Sequence, residues 1–323
     1  MKKPLVSIII PVKEINDYLR QETLPALWQQ EDQDFEVIIL PDKKTKEVFR
    51  KTLVIPSWPK TGPADKRDLG AKMAKGEILA FLDDDSYPTA DWLRKASVLF
   101  KSGVAGVCGP NLTPAHNTWR QKVSGYVWSS WLGSGGAGTY RCRAEKRRLV
   151  DDFPSVNLLV KKEDFVKVGG FNSHFWPGED TELCYALVYK LGKKIVYDPK
   201  VIVYHHRREV FGPHLKQISR YALHRGHFAR ILPKTSWRWG YWLPSLFLLW
   251  LVFGWLLTLI GGKWLYLGPI LIYKVLLLFT IIKVYQQEKR VRIAVMTGPA
   301  IFFTHLVYGF FFLKGLLARN LKQ

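Results

Sequence analysis

The sequence predicts an α/β protein with a mostly parallel central sheet, followed by an interfacial helical segment and an all-α membrane region. Three observations support this prediction. Short apolar runs alternate with helix-like segments in the N-terminal part of the chain. Acidic residues directly follow two of these runs, and the last quarter contains three long runs with almost no charge.

The N-terminal part alternates between strand-like and helix-like segments. The alternation of such segments is typical of a parallel sheet, in which ligands bind beyond the carboxyl ends of the strands. Strands are predicted at 5–12, 35–40, 51–55, 77–82, 104–108 and 202–204, and helices at 17–29, 66–75, 91–101 and 181–191.

The chain is strongly basic, with 48 Lys and Arg against 27 Asp and Glu in 323 residues. Such an excess by itself suggests nucleic acid, a membrane surface or an anionic substrate. The segment 207–238 carries eight basic residues and one acid, Glu209, directly before the first uncharged run. This position predicts an interfacial helix on anionic lipid headgroups and disfavours nucleic-acid binding.

Three apolar runs predict transmembrane helices at about 241–260, 264–284 and 293–315. Residues 241–260 have no charged residue, 264–282 have only Lys274, and 293–313 have only His305. A bilayer core of about 30 Å needs about 20 apolar helical residues, so each run is long enough to span. Pro299 and His305 leave open a tilted or re-entrant third segment.

Charge in the links predicts an integral protein of the cytoplasmic membrane with a cytoplasmic N-terminal domain. The link 286–292 carries Lys289, Arg290 and Arg292, and basic links favour the cytoplasmic side. The apolar start meets Pro11 and Lys13 without a small-residue cleavage site, which favours a buried strand over an export signal. The predicted domains are 1–206, 207–239 and 240–323.

Three adjacent aspartates, Asp83, Asp84 and Asp85, follow the apolar run 78–82 in the sequence FLDDDSYP. Such a cluster is a solvated turn, a calcium site or a divalent-metal site for a diphosphate. The alternating ligands of an EF-hand loop are absent from the sequence here. Alternating side-chain directions predict that Asp83 and Asp85 share one side of the chain.

The residues around this cluster resemble family 2 glycosyltransferases with the GT-A fold. The segment GPADKRDLGAKMAKGEILAFLDDD (62–85) resembles the family's central signature, and SIIIPVKE (7–14) is similar to its opening. The segment 155–206, with GGF, GED and a histidine pair, resembles the acceptor half. The resemblance covers about residues 4–230. Lys13, Glu14, Pro41 and Asp68 depart from the family pattern.

The resemblance implies a role for each matching residue. Asp180 would be the general base with Glu179 beside it, although acidic residues at a helix start also favour the macrodipole. Asp83, Asp85 and His205 would bind Mn²⁺ or Mg²⁺. The nucleotide sugar would contact Pro11, Val12, Glu14, Asp42, Arg67, Asp83 and Asp84. For Arg67, a surface position on a helix is the alternative.

Two further segments leave alternatives open. Residues 217–221 resemble the QxxRW motif of processive synthases, with Tyr221 for Trp, but they also lie within the predicted interfacial segment. The glycine-rich segment 133–138 is either a linker or a mobile lid. The predicted contacts with the acceptor or the diphosphate are Trp176, Gln217, Arg220 and Tyr221.

The resemblance implies an inverting, metal-dependent glycosyltransferase anchored in the membrane. It would move a sugar from a UDP-, GDP- or dTDP-type donor to a hydroxyl of a lipid-linked saccharide, for example polyprenyl-linked, or of a glycolipid. A polyprenyl-phosphate glycosyltransferase, a processive polysaccharide synthase and a membrane-anchored nucleotide-sugar-binding protein are the alternatives. The sequence leaves a homo-oligomer open.

Overall fold

The computed structural model describes residues 5–136, 138–171, 173–175 and 177–321. The chain divides into two compact units. The sheet unit comprises Met1–Leu112 and Arg143–His205, and the helical unit comprises Thr113–Cys142 and His206–Lys322. This division does not test the predicted domains 1–206, 207–239 and 240–323, which remain a prediction.

The strands lie in the sheet unit. In chain order they are β1 Val6–Pro11, β2 Phe35–Leu40, β3 Thr52–Val54, β4 Ile78–Phe81, β5 Ser86–Pro88, β6 Val104–Cys108, β7 Asn111–Leu112, β8 Arg148–Val150, β9 Leu158–Lys161, β10 Lys194–Tyr197 and β11 Val203–His205.

The α-helices are distributed over both units. In chain order they are α1 Leu24–Trp28, α2 Pro63–Met73, α3 Trp92–Ser97, α4 Trp119–Ser129, α5 Thr139–Cys142, α6 Lys162–Lys167, α7 Glu179–Tyr185, α8 Gly212–Ile231, α9 Pro233–Ser236, α10 Trp239–Phe253, α11 Lys263–Glu288 and α12 Val291–Leu317. Shorter 3₁₀ and π segments are Leu19–Thr23, Ser155–Asn157, Ser173–Phe175, Ala186–Lys190 and Gly254–Ile260.

An eight-stranded sheet forms the centre of the sheet unit, in the order β3-β2-β1-β4-β9-β6-β10-β8. β1 pairs in parallel with β2 and with β4, whereas β9 runs antiparallel between β4 and β6. A second sheet has the order β5-β11-β7. The predicted α/β class with a mostly parallel sheet is confirmed.

Burial explains why the apolar runs form the central strands. Every residue of β1 and of β4 is buried, as expected for strands covered on both faces. The predicted strands 35–40 and 104–108 have the observed bounds, and 202–204 is observed one residue later, at Val203–His205. The other three predicted strands are each two residues longer than observed. The predicted helix 17–29 contains a π-helical segment, Leu19–Thr23, that leads into α1.

Three helical segments of the helical unit are long and apolar enough, by length and composition, to cross a membrane. They are Trp239–Ile260, Lys263–Glu288 and Val291–Leu317, with mean hydropathy 2.2, 2.1 and 1.7. These segments coincide with the three predicted spans. In the first, α10 continues as a 3₁₀ segment, Gly254–Ile260.

Helix α8 packs closely on α12 within the helical unit. Its buried face repeats every four residues at His214, Ile218, Ala222 and Gly226, while basic residues such as Arg220 face outward. A Cβ atom on Gly226 would lie 2.0 Å from the backbone oxygen of Phe312, so only glycine permits this approach.

His214 links three helices of the helical unit. Its Nδ1 lies 2.8 Å from Ser124 Oγ on α4, and its Nε2 lies 3.0 Å from Thr304 Oγ1 on α12. Burial lowers the pKa of His214 to about 4, so the imidazole is neutral at pH 7. It therefore serves as a structural hydrogen-bonding residue.

Candidate functional site

The candidate site lies at the carboxyl ends of three neighbouring strands of the sheet unit. The register pairs Pro11 of β1 with Leu40 of β2, and Ile9 of β1 with Phe81 of β4. The residues that follow these strands therefore lie at one edge of the sheet. Val12, Asp42 and Asp83 reach this edge. Asp42 and Asp83 were predicted to follow strands, whereas Val12 was predicted as the last residue of the first strand and instead follows β1.

Asp83, Asp85 and His205 form a cluster at this edge. Their potential ligand atoms lie within 4.8 Å of one another, and His205 Nε2 lies 3.1 Å from Asp85 Oδ1. The antiparallel pairing of β11 with β5 sets His205 opposite Ser86, directly beside Asp85 in sequence. Two residues 120 positions apart thus meet through one strand pair.

Asp84 is directed away from this cluster. Its carboxylate accepts a hydrogen bond from the Asn16 side chain, which follows β1. The prediction that Asp83 and Asp85 share one side is confirmed. The physical basis differs from the expected extended chain, because Asp84 and Asp85 lie in a turn that Ser86 closes by donating to the Asp83 carbonyl oxygen.

The chemistry of this cluster fits a divalent cation. Carboxylate oxygens and an imidazole nitrogen are suitable ligands for Mn²⁺, and one or two carboxylates suffice to hold Mg²⁺ against phosphates. Asp85 is only 6% exposed. A buried carboxylate beside a second carboxylate favours a cation that compensates both charges.

Arg67 of α2 connects the acidic cluster with the start of α7. Its guanidinium donates to Asp83 Oδ1 at 2.8 Å and to Glu179 Oε1 at 3.0 Å. Burial by itself lowers the pKa of Arg67, but the charges of Asp83, Glu179 and Asp180 outweigh it and hold the pKa above its usual value. Arg67 is 4% exposed, so the alternative of a surface position is wrong.

Lys66 is a component of this edge that sequence reasoning missed. Its ammonium group donates to the Val12 carbonyl oxygen at 2.6 Å and forms an ion pair with Asp42. The lysine is buried and so fixes the Asp42 carboxylate relative to the end of β1. Of the other residues predicted at β1, Pro11 is buried and Glu14 is exposed.

Glu179 and Asp180 form the first turn of α7. Glu179 is 4% exposed, and its carboxylate pairs with Arg67 and accepts from the Gly178 N–H at 2.9 Å. Asp180 accepts from the Thr181 N–H at 2.8 Å and, at 3.4 Å, from the Ser155 N–H. Both carboxylates thus stabilise the helix start, and Asp180 remains partly exposed.

Asp68 supports the loop before α7. Its Oδ1 accepts from the Phe171 N–H at 2.9 Å. Burial, opposed by this hydrogen bond, raises the pKa of Asp68 to about 6. Phe171 also packs under the Arg67 guanidinium, whose carbon lies 5.6 Å from the ring centre. Asp68 therefore acts on the site through the position of Phe171.

Three of the predicted contacts with the acceptor or the diphosphate lie in the helical unit. Gln217, Arg220 and Tyr221 lie on α8, where Gln217 Nε2 donates to the Tyr221 hydroxyl at 3.4 Å. Trp176 lies outside the described residues. His206 is buried and hydrogen-bonded to Asn117, whereas His205 belongs to the acidic cluster of the sheet unit.

Comparison with protein families matches residues 78–313 to the family described as "Glycosyl transferase family group 2". An uncharacterized glycosyltransferase of Haemophilus influenzae is 34% identical over 107 residues, 29% of this chain and 42% of that protein. A pre-mycofactocin glycosyltransferase of Mycobacterium tuberculosis is 26% identical over 147 residues, 46% of this chain and 30% of that protein. The chain thus spans less than half of either relative.

Among solved structures, a mannosyltransferase of Pyrobaculum calidifontis, PcManGT, in complex with GDP-Man and Mn²⁺, has a similar fold. The TM-score is 0.52 at 18% sequence identity, over 72% of this chain and 65% of that one. At this identity the likeness concerns the fold alone, and it confirms the predicted GT-A architecture of the sheet unit.

Proposed function

The chain belongs to the family 2 glycosyltransferases, and from this premise we propose a membrane-anchored, inverting and metal-dependent enzyme. It would transfer a sugar from a nucleotide-sugar donor to a hydroxyl of a lipid-linked saccharide or glycolipid. The observation that carries the proposal is the double ion pair of Arg67. It connects Asp83, on the proposed donor side, with Glu179, the neighbour of the proposed base.

In this proposal the nucleotide binds at the carboxyl ends of β1, β2 and β4. Asp42, oriented by Lys66, is the hydrogen-bond acceptor for the nucleobase. Val12, Asp83 and Asp84 border the same edge. Arg67 supplies positive charge near the diphosphate, for which a guanidinium is well suited.

Asp83, Asp85 and His205 would hold the divalent cation, Mn²⁺ or Mg²⁺. When bound, the cation compensates negative charge on the departing nucleoside diphosphate. Asp83 has two roles in this arrangement, because its carboxylate also accepts from Arg67. Its position is therefore fixed from the protein side before any ligand binds.

Asp180 would act on the acceptor. As the acceptor oxygen bonds to the anomeric carbon, its proton passes to the Asp180 carboxylate and the bond from that carbon to the diphosphate oxygen breaks. A single in-line displacement inverts the anomeric configuration. Hydrogen bonds from the Thr181 and Ser155 N–H groups orient Asp180 for this step.

A membrane-borne acceptor is supported by the three apolar helices and the basic segment 207–239. A polyprenyl-linked saccharide or a glycolipid presents its hydroxyls at the membrane surface, where an anchored enzyme operates. The basic link 286–292 supports a cytoplasmic side for the sheet unit. This side also contains the nucleotide sugars.

The proposal is tested with the full chain in detergent or nanodiscs. UDP-, GDP- and dTDP-sugars are offered with a polyprenyl-linked saccharide, with and without Mn²⁺, and the product is identified by mass spectrometry. We expect transfer from one donor class, with inversion, and loss of transfer in EDTA. Transfer that persists in EDTA would exclude the metal, and retention of configuration would exclude the single displacement.

A further inference from the structure

The last apolar helix, α12, is covered by other parts of the helical unit, unlike α10 and α11. Within its apolar stretch 39% of the residues are buried, against 11% in Trp239–Ile260 and 6% in Lys263–Glu288. Many of the buried residues are small, for example Ala294, Gly298, Ala300, Gly309 and Gly315. Small side chains permit close helix contacts, so α12 packs against protein from one end to the other.

Helix α4 and the loop after it cover the first half of α12. The Arg292 guanidinium carbon lies 3.8 Å from the Trp119 ring centre, near the start of both helices. Thirteen residues later in each segment, from 119 to 132 and from 292 to 305, the Leu132 carbonyl oxygen accepts from His305 Nε2 at 3.0 Å. The two segments therefore run side by side in the same direction. Because α4 precedes α10, the first of the three apolar helices, the start of α12 lies on the side of the membrane from which α10 begins.

Helix α8 covers the second half of α12. The ring centres of Phe211, directly before α8, and Phe303 lie 6.0 Å apart, and Arg230 Nη2 donates to the Arg319 carbonyl oxygen at 3.0 Å. The close approach of Gly226 to α12 lies between these two contacts. Helix α8 therefore lies alongside α12, in the same direction, from residue 303 to the end of the helix. Because α8 also precedes α10, the end of α12 lies on the same side of the membrane as its start.

The end of α12 also contacts the start of α10. Trp242 and Phe312 pack edge to face, with their ring centres 5.0 Å apart. A Cβ atom on Gly135 would lie 2.7 Å from the backbone oxygen of Gly240, so the loop after α4 is held against the same place, which favours a packed linker over a mobile lid. A helix that crosses a bilayer once has its ends at opposite faces. Both ends of α12 contact segments that precede or begin the first apolar helix, which is incompatible with a single crossing.

The basic side chains of α8 also disfavour an upright α12. Lys216, Arg220 and Arg230 are exposed and lie on the side of α8 away from its buried face. At about 1.5 Å per residue, an upright α12 would place residues 303–317 about 18–39 Å from its start at the membrane surface. Helix α8 would then carry these three cations through a hydrocarbon core about 30 Å thick, where charged side chains are strongly disfavoured.

An apolar stripe runs along the exposed side of α12. Its members, between 45% and 79% exposed, are Val295, Phe303, Phe310 and Leu317. At about 100° per residue they lie within about 80° of one another, roughly opposite Thr304, whose hydroxyl contacts α8. The pair of α8 and α12 thus presents cations on one side and apolar side chains on the other. This arrangement is typical of helices that lie in the membrane interface.

We propose that α12 lies in the plane of the membrane interface, with α8 stacked on it, and does not cross the bilayer. The apolar stripe contacts the acyl chains of the cytoplasmic leaflet, and the cations of α8 face the aqueous side. Of the three apolar helices, α10 and α11 enter the hydrocarbon core, whereas the third span predicted at about 293–315 is interfacial. The basic link 286–292 and Arg319 then lie on one side of the membrane, as basic segments on the cytoplasmic side do. This placement does not depend on the proposed reaction.

Depth measurements by electron paramagnetic resonance test the orientation of α12. Val295→Cys, Phe303→Cys and Leu317→Cys each carry a nitroxide in the full chain, in vesicles of phosphatidylcholine and phosphatidylglycerol. Collisions of the label with oxygen and with a water-soluble nickel complex report its depth. We expect all three labels about 5–10 Å below the boundary between headgroups and acyl chains. Leu249→Cys, at an exposed position in the middle of α10, is the matched control and should lie deeper.

An upright α12 would give a different pattern. Val295 and Leu317 are 22 residues apart and would be separated by about 33 Å along the membrane normal. The label at Phe303 would then be as deep as the label at Leu249, with the other two labels near opposite surfaces, and this result would overturn the proposal. Free collision of all three labels with the nickel complex would overturn the contact with acyl chains.

Labelling with a membrane-impermeant maleimide tests the side on which the C-terminal tail lies. We expect Asn320→Cys in the full chain to be protected in bacterial spheroplasts and labelled in inverted vesicles, as is Gln287→Cys in the link before α12. The native chain gives the background, because Cys108, Cys142 and Cys184 are buried. Labelling of Asn320→Cys in spheroplasts, or in neither preparation, would overturn the placement of α12. The expected labelling of a chain that shows no transfer would support this placement and contradict the proposed function alone.

Discussion

The guanidinium of Arg67 donates to Glu179 across 3.0 Å, and both residues are only 4% exposed. Helix α2 and the start of α7, separated by more than a hundred residues in sequence, are connected by this ion pair. The same guanidinium holds Asp83. One buried cation therefore compensates two carboxylates of the candidate site.

Loss of this cation should damage stability and activity together. We expect Arg67→Met to lower the free energy of unfolding by about 3–5 kcal/mol, because Glu179 and Asp83 lose their buried partner. Thermal unfolding in detergent and transfer assays measure both effects. Arg94→Met, which breaks the exposed pair with Glu31, is the matched control and should change neither. Equal stability of the two variants would contradict the role of Arg67.

Asp180→Asn should lower kcat by about 10²–10⁴ and leave the KM for the donor nearly unchanged, because an amide cannot take the acceptor proton. Steady-state kinetics with a saturating acceptor measure kcat and the donor KM separately. Glu182→Gln, one residue beyond Thr181 on the same helix and paired with Lys190, controls for lost charge. A kcat for Asp180→Asn within threefold of the native value would exclude Asp180 as the base.

Removal of the imidazole should weaken metal binding more at His205 than at its neighbour. We expect His205→Ala to raise the Kd for Mn²⁺ about tenfold or more, as measured by electron paramagnetic resonance of the free ion. His206 pairs with Asn117 in the helical unit, so His206→Ala should leave the Kd unchanged. A larger rise in the Kd for His206→Ala than for His205→Ala would show that the cluster of His205 with Asp83 and Asp85 is not the metal site.

Asp68 should give the protein a pH-dependent stability. Its pKa of about 6 in the folded chain exceeds the unfolded value, so its stabilising contribution is complete below about pH 4 and is lost as the pH rises through about 6. Asp68→Asn keeps the acceptor for Phe171 and removes the ionisation. We therefore expect this variant to be more stable than the native chain at pH 7, by about 1 kcal/mol after solvent screening.

Thermal unfolding of both proteins between pH 4.5 and 7.5 measures this effect. The difference in Tm should grow towards pH 6 and then level off. Parallel curves over the whole range would show that Asp68 does not titrate as described.

The close approach of α8 and α12 should make Gly226 intolerant of any side chain. We expect Gly226→Ala to lower the free energy of unfolding by about 1–3 kcal/mol, since the new methyl group would meet the Phe312 carbonyl oxygen. Gly268→Ala in α11 is the control, because among the described residues nothing outside the adjacent residues and the local helix backbone lies within 4 Å of the added Cβ. Thermal unfolding compares the two, and similar Tm values would contradict this packing.

The site residues that follow strands could be predicted from sequence because apolar runs locate the ends of parallel strands. Asp42, Asp83 and Asp85 are of this kind, and His205 meets Asp85 through the pairing of β11 with β5. The role of Lys66 in the site could not be predicted. Its side chain is buried because it reaches the Val12 carbonyl oxygen, and the residue spacing in α2 does not indicate that contact.

The direction of the strands in the sheet could also not be predicted from the sequence. No strand was predicted at Leu158–Lys161. Its apolar composition would also not have revealed that β9 runs opposite to β4, because buried parallel and antiparallel strands share that composition. The amino-acid composition of Thr113–Cys142 also did not indicate that this segment belongs to the helical unit. Its contacts, such as His305 with Leu132, join residues far apart in the chain.

The reversed strand β9 also has a consequence for synthesis of the chain. Until residues 158–161 leave the ribosome, β4 and β6 lack the partner that joins them, and the wholly apolar β4 remains an open sheet edge. Open apolar edges associate readily with other chains. Because Thr113–Cys142 intervenes, this vulnerable interval is prolonged, so we expect aggregation of nascent or truncated chains that end before β9.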